Sequence, residues 1–214
     1  MPVQIKICGL STPETVEAAI AAGATHIGLN LYPPSPRYVP LERAVELREL
    51  ARGRIATVLL LVNADPEATA QAIAMVTPEI VQFHGRETPD WCALVREQAG
   101  IEVWKALGVQ DSGSLERSAA YAGKVDRLLF DAPAKAMPGG TGETFSWELL
   151  QGHVHRTPWG LAGGLTPANV AQAIRQTGAP LVDTSSGVET APGIKDVDLI
   201  RAFCKAAREA SRAE

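Results

Sequence analysis

Short apolar runs rich in β-branched residues alternate along this chain with segments in which apolar residues recur every three or four positions. The second kind of segment is typical of amphipathic helices, as in the closing stretch 196–214, where Val197, Ile200 and Phe203 share one face. The alternation predicts an α/β protein built on a parallel sheet. The apolar runs predict eight strands, at residues 3–8, 26–31, 55–62, 80–84, 102–107, 127–131, 158–162 and 180–184.

Four of the predicted helix starts share one sequence pattern. In each of the four, a residue that can cap a helix with its side-chain oxygen stands directly before a proline, whose missing N–H is harmless in a first turn. Residues 11–14, with Ser11 and Glu14 three positions apart, also fit a capping box. The four cap–proline pairs are Thr12-Pro13, Asp65-Pro66, Thr88-Pro89 and Thr166-Pro167.

Eight strand–helix units account for the whole length of the chain. At about 27 residues a unit, the 214 residues lie near the lower limit for a (β/α)₈ barrel. No linker or change in composition divides the chain, so we expect a single-domain (β/α)8 TIM barrel over residues 1–214. A doubly wound open sheet is the alternative, but it explains eight evenly spaced units less well.

Composition and charge narrow the class of protein further. Hydrophobic residues make up 46% and charged residues 21%, which is ordinary for a globular domain. The net charge of −4 provides no basic field for nucleic acid, and no apolar run is long enough for a membrane span. From residues 1–4 we expect no signal peptide. Three widely spaced cysteines, Cys8, Cys92 and Cys204, form no disulfide framework, so we expect a cytoplasmic protein.

Two glycine-bearing turns follow the last two predicted strands. Gly163 and Gly164 come after the seventh strand, and Ser185 to Gly187 come after the eighth. Turns of this kind leave backbone N–H groups unpaired at helix starts, and in barrels of this type the loops after strands seven and eight commonly bind phosphate. The sequence therefore predicts one phosphate site between these two turns, and with it a small phosphorylated substrate.

Other polar side chains stand at the ends of the first and sixth predicted strands. Period-two alternation places Lys6 and Cys8 on the same side of strand one, where a nearby cation lowers a thiol pKa and makes thiolate available. Strand six runs into Asp131, and the long segment 132–144 behind it, with the glycine run 139–142, could be a lid over a substrate. The alternatives are a small buried hydrophobe for Cys8, a helix cap or loop acceptor for Asp131, and a surface loop for the segment.

Three more residues are candidates for substrate contacts. The prolines of residues 32–38 restrict Arg37, which is either a surface charge or a fork that grips a carboxylate. Gln82 and His84 share one face of strand four, and a buried, hydrogen-bonded histidine is the simpler interpretation of His84. His153 and His155 have no third ligand nearby in the sequence, so we expect no metal site there.

Taken together and in this order, these segments resemble the phosphoribosylanthranilate isomerase family, whose members perform an Amadori rearrangement in tryptophan biosynthesis. The resemblance covers nearly the whole chain. The chain differs from the family pattern at residues 29–31, which read Leu-Asn-Leu where phenylalanines are common, and at Phe83, where leucine is more usual. The matching segments are KICG at 6–9, YPPSPRYV at 32–39, VQFHG at 81–85, GGTG at 139–142, LAGGLTPANV at 161–170 and VDTSSGVE…PGIKD at 182–196.

The resemblance implies a role for each candidate residue. Cys8 matches the general base, Asp131 the general acid, and Arg37 the arginine that faces the anthranilate carboxylate. It further implies pocket-lining roles for Gln82, His84 and Asp183. The positions matching the phosphate turns are Gly163, Gly164, Ser185 and Gly187. The implied reaction needs no metal or redox cofactor, and the protein would be a monomer or a homodimer.

Three other functions fit a phosphate-binding barrel. A metal-dependent sugar-phosphate epimerase should present several His and Asp ligands at strand ends, and only His84 qualifies. An isomerase acting on two amino-sugar substrates should have an aspartate, instead of Cys8, as its base on strand one. A non-catalytic phosphate-binding scaffold would need neither Cys8 nor Asp131.

Overall fold

Eight parallel strands close into a barrel in chain order in the computed structural model, which describes residues 2–133 and 145–212. Strand β8 pairs with β1, with Gln4 beside Leu181 and Lys6 beside Asp183, so the sheet has no open edge and the doubly wound alternative is wrong. Each strand lies within one residue, at either end, of its predicted position. The strands are β1 (Gln4–Cys8), β2 (His26–Asn30), β3 (Ala56–Leu61), β4 (Ile80–Phe83), β5 (Glu102–Gly108), β6 (Arg127–Asp131), β7 (Trp159–Leu161) and β8 (Leu181–Thr184).

The helices surround the barrel. Between β6 and β7, the described residues contain one helical element, a short 3-10 turn at Trp147–Leu150. A 3-10 turn at Ser186–Val188 and a hairpin, β9 (Glu189–Ala191) with β10 (Ile194–Lys195), separate β8 from the last helix. The α-helices are α1 (Pro13–Ala21), α2 (Leu41–Ala51), α3 (Pro66–Val76), α4 (Pro89–Ala99), α5 (Ser112–Ser118), α6 (Val170–Thr177) and α7 (Val197–Arg212).

Three of the four predicted cap–proline starts are confirmed. The side chains of Thr12, Asp65 and Thr88 each accept a hydrogen bond from the backbone N–H three residues later, and a proline opens each helix. The capping box at residues 11–14 is wrong, because the cap is Thr12 and its partner is Thr15.

The fourth predicted start, at Thr166-Pro167, is also wrong, since α6 begins only at Val170. There the Asn169 side chain accepts from the Thr166 N–H and donates to the Gly164 carbonyl oxygen, at 2.8 and 3.0 Å. These bonds close a turn ahead of the helix, so the residues after β7 are held in the loop at the barrel mouth.

Two apolar layers hold the barrel together. One lies between the strands and the helices and includes Phe83, Phe130 and most helical core residues. The other occupies the barrel interior, because strand side chains alternate between the two faces. Fully burying a valine, leucine, isoleucine or phenylalanine side chain stabilises a fold by roughly 1.5–3 kcal/mol. The interior cluster consists of Val58, Ile80, Trp104, Ala106, Leu129 and Leu181.

None of the helices in the described part of the chain combines the length and apolar character needed to cross a lipid bilayer.

Candidate active site

A cavity of about 540 Å³, part of it open to solvent, lies at the C-terminal ends of the strands. All the predicted site residues except Gly187 line it. The predicted site residues that line this cavity are Cys8, Arg37, Gln82, His84, Asp131, Gly163, Gly164, Asp183 and Ser185. Sequence reasoning did not assign a site role to the other lining residues, which are Asn30, Ser35, Leu60, Ala162, Leu165, Thr184 and Ser186.

Lys6 and Cys8 lie on the inner side of β1, as the alternation predicts. The Lys6 side chain is fully buried, and its Nζ donates to Asp183 Oδ2 at 2.8 Å, so its charge is neutralised by a carboxylate. Burial raises the pKa of the Cys8 thiol, while the nearby Lys6 cation lowers it and Asp183 raises it further. The net direction is opposite to the one expected from Lys6 alone, since desolvation disfavours the thiolate more than the paired lysine favours it.

Asp131 and His84 meet across the mouth from β6 and from the end of β4. The His84 Nε2 atom lies 3.2 Å from Asp131 Oδ2. The other oxygen, Oδ1, accepts the backbone N–H of Ala132 at 2.7 Å. Both oxygens of the carboxyl are therefore held by partners, which fixes its orientation toward the cavity. Within the described residues no helix begins at this strand end, so Asp131 caps no helix there, but its bond to the Ala132 N–H is the contact of a loop acceptor.

Two acceptors beside the cavity have no partner among the described residues. These are Gln82 Oε1 and Asp183 Oδ1, both of them fully buried. An unsatisfied buried polar atom costs roughly 1–3 kcal/mol, so such atoms at a cavity indicate that a ligand supplies the missing donors. Hydroxyl and amine N–H groups are donors of the required kind.

Arg37 lies in the proline-rich loop after β2 and is buried against the barrel mouth. Its Nε and Nη2 atoms donate to the two oxygens of Glu189 at 2.7 and 2.8 Å, a bidentate ion pair. The loop itself is ordered by Ser35 Oγ, which accepts from the Arg37 N–H and from Asn30 Nδ2. Asn30, one of the departures from the family pattern, thus shapes the loop that carries Arg37.

The two glycine turns are in contact, because β7 and β8 are neighbours. Gly163 and Gly164 have φ of +85° and +62°, a region that L side chains rarely adopt. No acceptor among the described residues pairs with the backbone N–H of Gly164 or of Ser186, and both residues line the cavity. Backbone N–H groups of this kind, presented by adjacent turns, form an anion site.

Gly187 lies just outside the cavity and has a packing role. A Cβ atom built at this position would lie 1.8 Å from the carbonyl oxygen of Leu165, so only glycine lets the two turns approach. The same oxygen accepts from Thr184 Oγ1 at 2.7 Å. The Ser185 hydroxyl donates to the Cys8 carbonyl oxygen at 3.1 Å and so ties the second turn to β1.

Glu189 and Lys195 complete the surroundings of Arg37 and Ser185. Lys195 Nζ donates to Glu189 Oε1 at 2.6 Å and to the carbonyl and hydroxyl oxygens of Ser185 at 2.9 and 3.2 Å. Both residues lie in the motif at 182–196, but they occupy a hairpin whose two short strands give no periodic signal. Sequence reasoning therefore assigned no site role to them.

The remaining candidates lie away from the mouth. Phe83 packs between the barrel and the helices, so its departure from the family pattern does not alter the cavity wall. His155 stacks on Trp159 and contacts His153. Across residues 2–133 and 145–212, no group of three or more His, Cys, Asp or Glu side chains could hold a metal ion. The glycine run 139–142, interpreted as part of a lid, lies outside the described residues.

A closed eight-stranded barrel with its polar cavity at the C-terminal strand ends is the architecture of a TIM-barrel enzyme. Residues 5–206 match the family described as N-(5'phosphoribosyl)anthranilate (PRA) isomerase. The chain belongs to this family, and it is an intramolecular aldose–ketose isomerase of tryptophan biosynthesis.

Individual relatives agree with the family assignment. The chain is 65% identical over 206 residues to N-(5'-phosphoribosyl)anthranilate isomerase of Erythrobacter litoralis, covering 96% of this chain and 99% of the relative. A crystal structure of the Thermotoga maritima enzyme superposes with a TM-score of 0.89 at 34% identity, covering 97% and 99% of the two chains. A phosphoribosyl anthranilate isomerase in complex with reduced 1-(o-carboxyphenylamino)-1-deoxyribulose 5-phosphate has a TM-score of 0.86 at 33% identity, with the same coverage.

Proposed function

We propose that this isomerase converts N-(5-phosphoribosyl)anthranilate to 1-(2-carboxyphenylamino)-1-deoxyribulose 5-phosphate with Cys8 as general base and Asp131 as general acid. The observation that carries the proposal is one cavity that contains both side chains together with the two glycine turns. The ligand bound to the similar enzyme, with a carboxyphenyl group at one end and a phosphate at the other, suits such a cavity.

Substrate binding uses both ends of the cavity in this proposal. The phosphate accepts from the backbone N–H groups of Gly164 and Ser186, between the two turns. Arg37 attracts the anthranilate carboxylate, and its pairing with Glu189 keeps the guanidinium at a fixed angle. The buried acceptors of Gln82 and Asp183 take hydrogen bonds from the ribose hydroxyls and the anilino N–H. Each end is anchored, so the sugar carbons lie between Cys8 and Asp131.

Ring opening is the first chemical step. The protonated Asp131 carboxyl transfers its proton to the ribose ring oxygen, the C1′–O bond breaks, and the nitrogen lone pair forms a C1′=N bond. His84, at 3.2 Å from Asp131 Oδ2, keeps the carboxyl oriented toward the ring oxygen. The product of this step is a positively charged Schiff base that still carries the C2′ proton.

Proton abstraction completes the rearrangement. The Cys8 thiolate takes the C2′ proton, the C–H electron pair forms a C1′=C2′ bond, and the iminium electrons return to nitrogen. The resulting enolamine tautomerises to the ketose. Burial opposes the thiolate, whereas the Lys6 and Lys195 cations favour it. The positive charge of the Schiff base also stabilises the thiolate, and it is present at the step in which Cys8 acts as the base.

Two conservative variants test the assignment of acid and base. Cys8→Ser replaces the thiol with a hydroxyl that stays protonated near neutral pH, and Asp131→Asn removes the carboxyl proton but keeps its shape. Each variant should lose about 10²–10⁴-fold in kcat. The affinity for the reduced product analogue should stay near that of the parent protein, because phosphate and carboxylate contacts remain.

Steady-state turnover of phosphoribosylanthranilate and titration with the analogue separate these quantities. A Cys8→Ser protein with near-parental kcat would remove Cys8 as the base and leave Asp183 or His84 in its place. Loss of analogue binding in parallel with kcat would show that the residue shapes the cavity and takes no part in proton transfer.

A further inference from the structure

Arg37, Glu189 and Lys195 form a buried triad of charged side chains beside the cavity. The exposed side-chain fractions are 9%, 4% and 1%, so all three are largely removed from water. Glu189 lies between the two cations and contacts both through Oε1, at 2.7 Å from Arg37 Nε and 2.6 Å from Lys195 Nζ. Charges are expensive to bury, and a triad of this kind is weak evidence for stability alone.

Lys195 and Glu189 direct their polar atoms to partners within the protein. The three N–H donors of the Lys195 ammonium face Glu189 Oε1, Ser185 O and Ser185 Oγ. The two oxygens of Glu189 accept from Arg37 and Lys195. Neither side chain therefore has the donors or the exposure to bind substrate, and any effect on catalysis has to pass through the residues that they hold.

Those residues are the ones proposed to grip the two ends of the substrate. On one side, Glu189 forms a bidentate ion pair with the Arg37 guanidinium. On the other side, Lys195 holds Ser185, whose hydroxyl donates to the carbonyl oxygen of Cys8. The β9–β10 hairpin thus links the proposed carboxylate contact, the phosphate turn and the strand end that carries the proposed base.

Backbone packing supports the same connection. At Gly193, in the hairpin turn with φ of +82°, a built Cβ atom would lie 2.2 Å from the carbonyl oxygen of Pro36. At Gly9 after β1, a built Cβ atom would lie 2.8 Å from Arg37 Cδ. The hairpin therefore touches the Arg37 loop through its main chain as well as through Glu189, and Gly9 packs closely against the aliphatic part of the Arg37 side chain.

We propose that Glu189 and Lys195 are positioning residues: Glu189 sets the orientation in which Arg37 recognises a substrate carboxylate, and Lys195 fixes the phosphate turn through Ser185. The inference rests on the role proposed above for Arg37. Glu189 and Lys195 have different roles in this proposal. Their variants should therefore differ in how strongly they weaken the binding of ligands with and without a carboxylate.

The experiment compares two competitive inhibitors of the purified enzyme. One is the reduced product analogue, which has both carboxylate and phosphate, and the other is its phenylamino counterpart without the carboxylate. Glu189→Gln should weaken the first by at least about tenfold more than the second, or about 1.4 kcal/mol, because Arg37 loses the bidentate carboxylate that orients its guanidinium. Lys195→Met should weaken both inhibitors, since the phosphate turn serves both.

Matched controls make the same chemical changes at exposed positions far from the mouth. Glu17→Gln breaks the surface pair with Arg54, and Lys205→Met removes an exposed lysine of α7. Both should leave the two inhibition constants unchanged. Equal losses for the two inhibitors in Glu189→Gln, or no loss at all, would overturn the positioning role.

An Arg37→Ala background tests whether Glu189 acts through Arg37. In that background, adding Glu189→Gln should not change the ratio of the inhibition constants of the two inhibitors any further. If Arg37→Ala itself fails to discriminate, the proposed contact with the carboxylate is wrong. If Arg37→Ala discriminates and Glu189→Gln does not, the contact stands and the positioning role fails.

Folding of each variant is checked by circular dichroism and thermal unfolding. If Glu189→Gln, which leaves two buried cations together, does not fold, the double variant Glu189→Gln/Lys195→Met carries the test, because it keeps one net positive charge as in the parent. The double variant should lose affinity for both inhibitors and lose more for the carboxylated one. If both inhibition constants of the double variant equal those of the parent protein, the proposal is refuted.

Discussion

Cys8 lies in surroundings that favour the neutral thiol in the absence of ligand. The side chain is buried, and Gly28 on the adjacent strand leaves just enough room for it, since a Cβ there would lie 2.7 Å from Cys8 Sγ. Lys6 faces the thiol but is already paired with Asp183. Burial therefore determines the direction in which the pKa of Cys8 moves.

Alkylation with iodoacetamide tests that direction. Because burial raises the pKa of Cys8, the modification rate in the ligand-free enzyme should still be rising with pH above about 8.5, the value for an ordinary thiol. Cys92 and Cys204, with pKa values raised to about 12 and about 11 and no exposed surface, should react only on unfolding. Peptide mass spectrometry measures each rate, and a plateau for Cys8 below pH 8 would show that Lys6 outweighs burial.

The turns after β7 and β8 act together as one element of the site. Their contact depends on the Leu165 carbonyl oxygen, which accepts from Thr184 and lies against Gly187. Neither turn offers an anion site of this geometry alone, because Gly164 belongs to the first turn and Ser186 to the second. The spacing between the turns therefore matters as much as the residues within them.

Gly187→Ala should separate the turns and weaken phosphate binding. The added Cβ cannot lie 1.8 Å from a backbone oxygen, so the second turn must move. We expect an increase of at least about tenfold in the inhibition constant of ribose 5-phosphate, and a loss of roughly 1–3 kcal/mol in the free energy of unfolding, as for overpacking elsewhere.

Gly113→Ala in α5 is the matched control, because a Cβ there meets its nearest atom at 3.4 Å. It should leave ribose 5-phosphate binding unchanged. Parental inhibition by ribose 5-phosphate in a folded Gly187→Ala protein would show that the spacing of the two turns is not needed for phosphate.

At the scale of the whole molecule, the barrel interior contains ionisable groups whose charge state is coupled to folding. His26, at the start of β2, lies beside Trp104 with ring centroids 5.1 Å apart. Burial, together with the smaller effect of the Arg127 and Lys6 cations, lowers the pKa of His26 from 6.5 to about 4. The native barrel therefore holds this histidine neutral, whereas the unfolded chain protonates it near its ordinary value.

The free energy of unfolding should accordingly fall as the solution is acidified. A histidine with a lowered folded-state pKa contributes its full stability above about pH 6.5 and loses it as pH falls toward about 4, by up to about 3 kcal/mol. His26→Gln cannot be protonated and should show a shallower decline. Urea unfolding at a series of pH values measures both slopes.

His155→Gln is the comparison variant for this decline. The pKa of His155 is also lowered to about 4, by burial and by His153, but the side chain is half-buried and its contribution is reduced by solvent. Its effect on the slope should be smaller than that of His26→Gln. Identical slopes for the parent and His26→Gln would show that other groups dominate the acid sensitivity.

The sequence alone predicted the parts of the protein that depend on local periodicity. Strand positions follow from apolar runs, and the shared inner face of Lys6 and Cys8, like that of Gln82 and His84, follows from the alternation of a strand. Three helix starts follow from a capping oxygen placed before proline. The start at Thr166 failed because Asn169, three residues later, closes a competing turn.

Only the tertiary structure decided which of these side chains are in contact and how their surroundings change their pKa values. Lys6 pairs with Asp183 across 177 positions, and Arg37 pairs with Glu189 across 152. Such pairs form only when the barrel closes, and no local pattern encodes the distance between two strand ends. Burial, which outweighs the lysine beside Cys8, is likewise a property of the closed barrel, because desolvation depends on every element packed around the thiol.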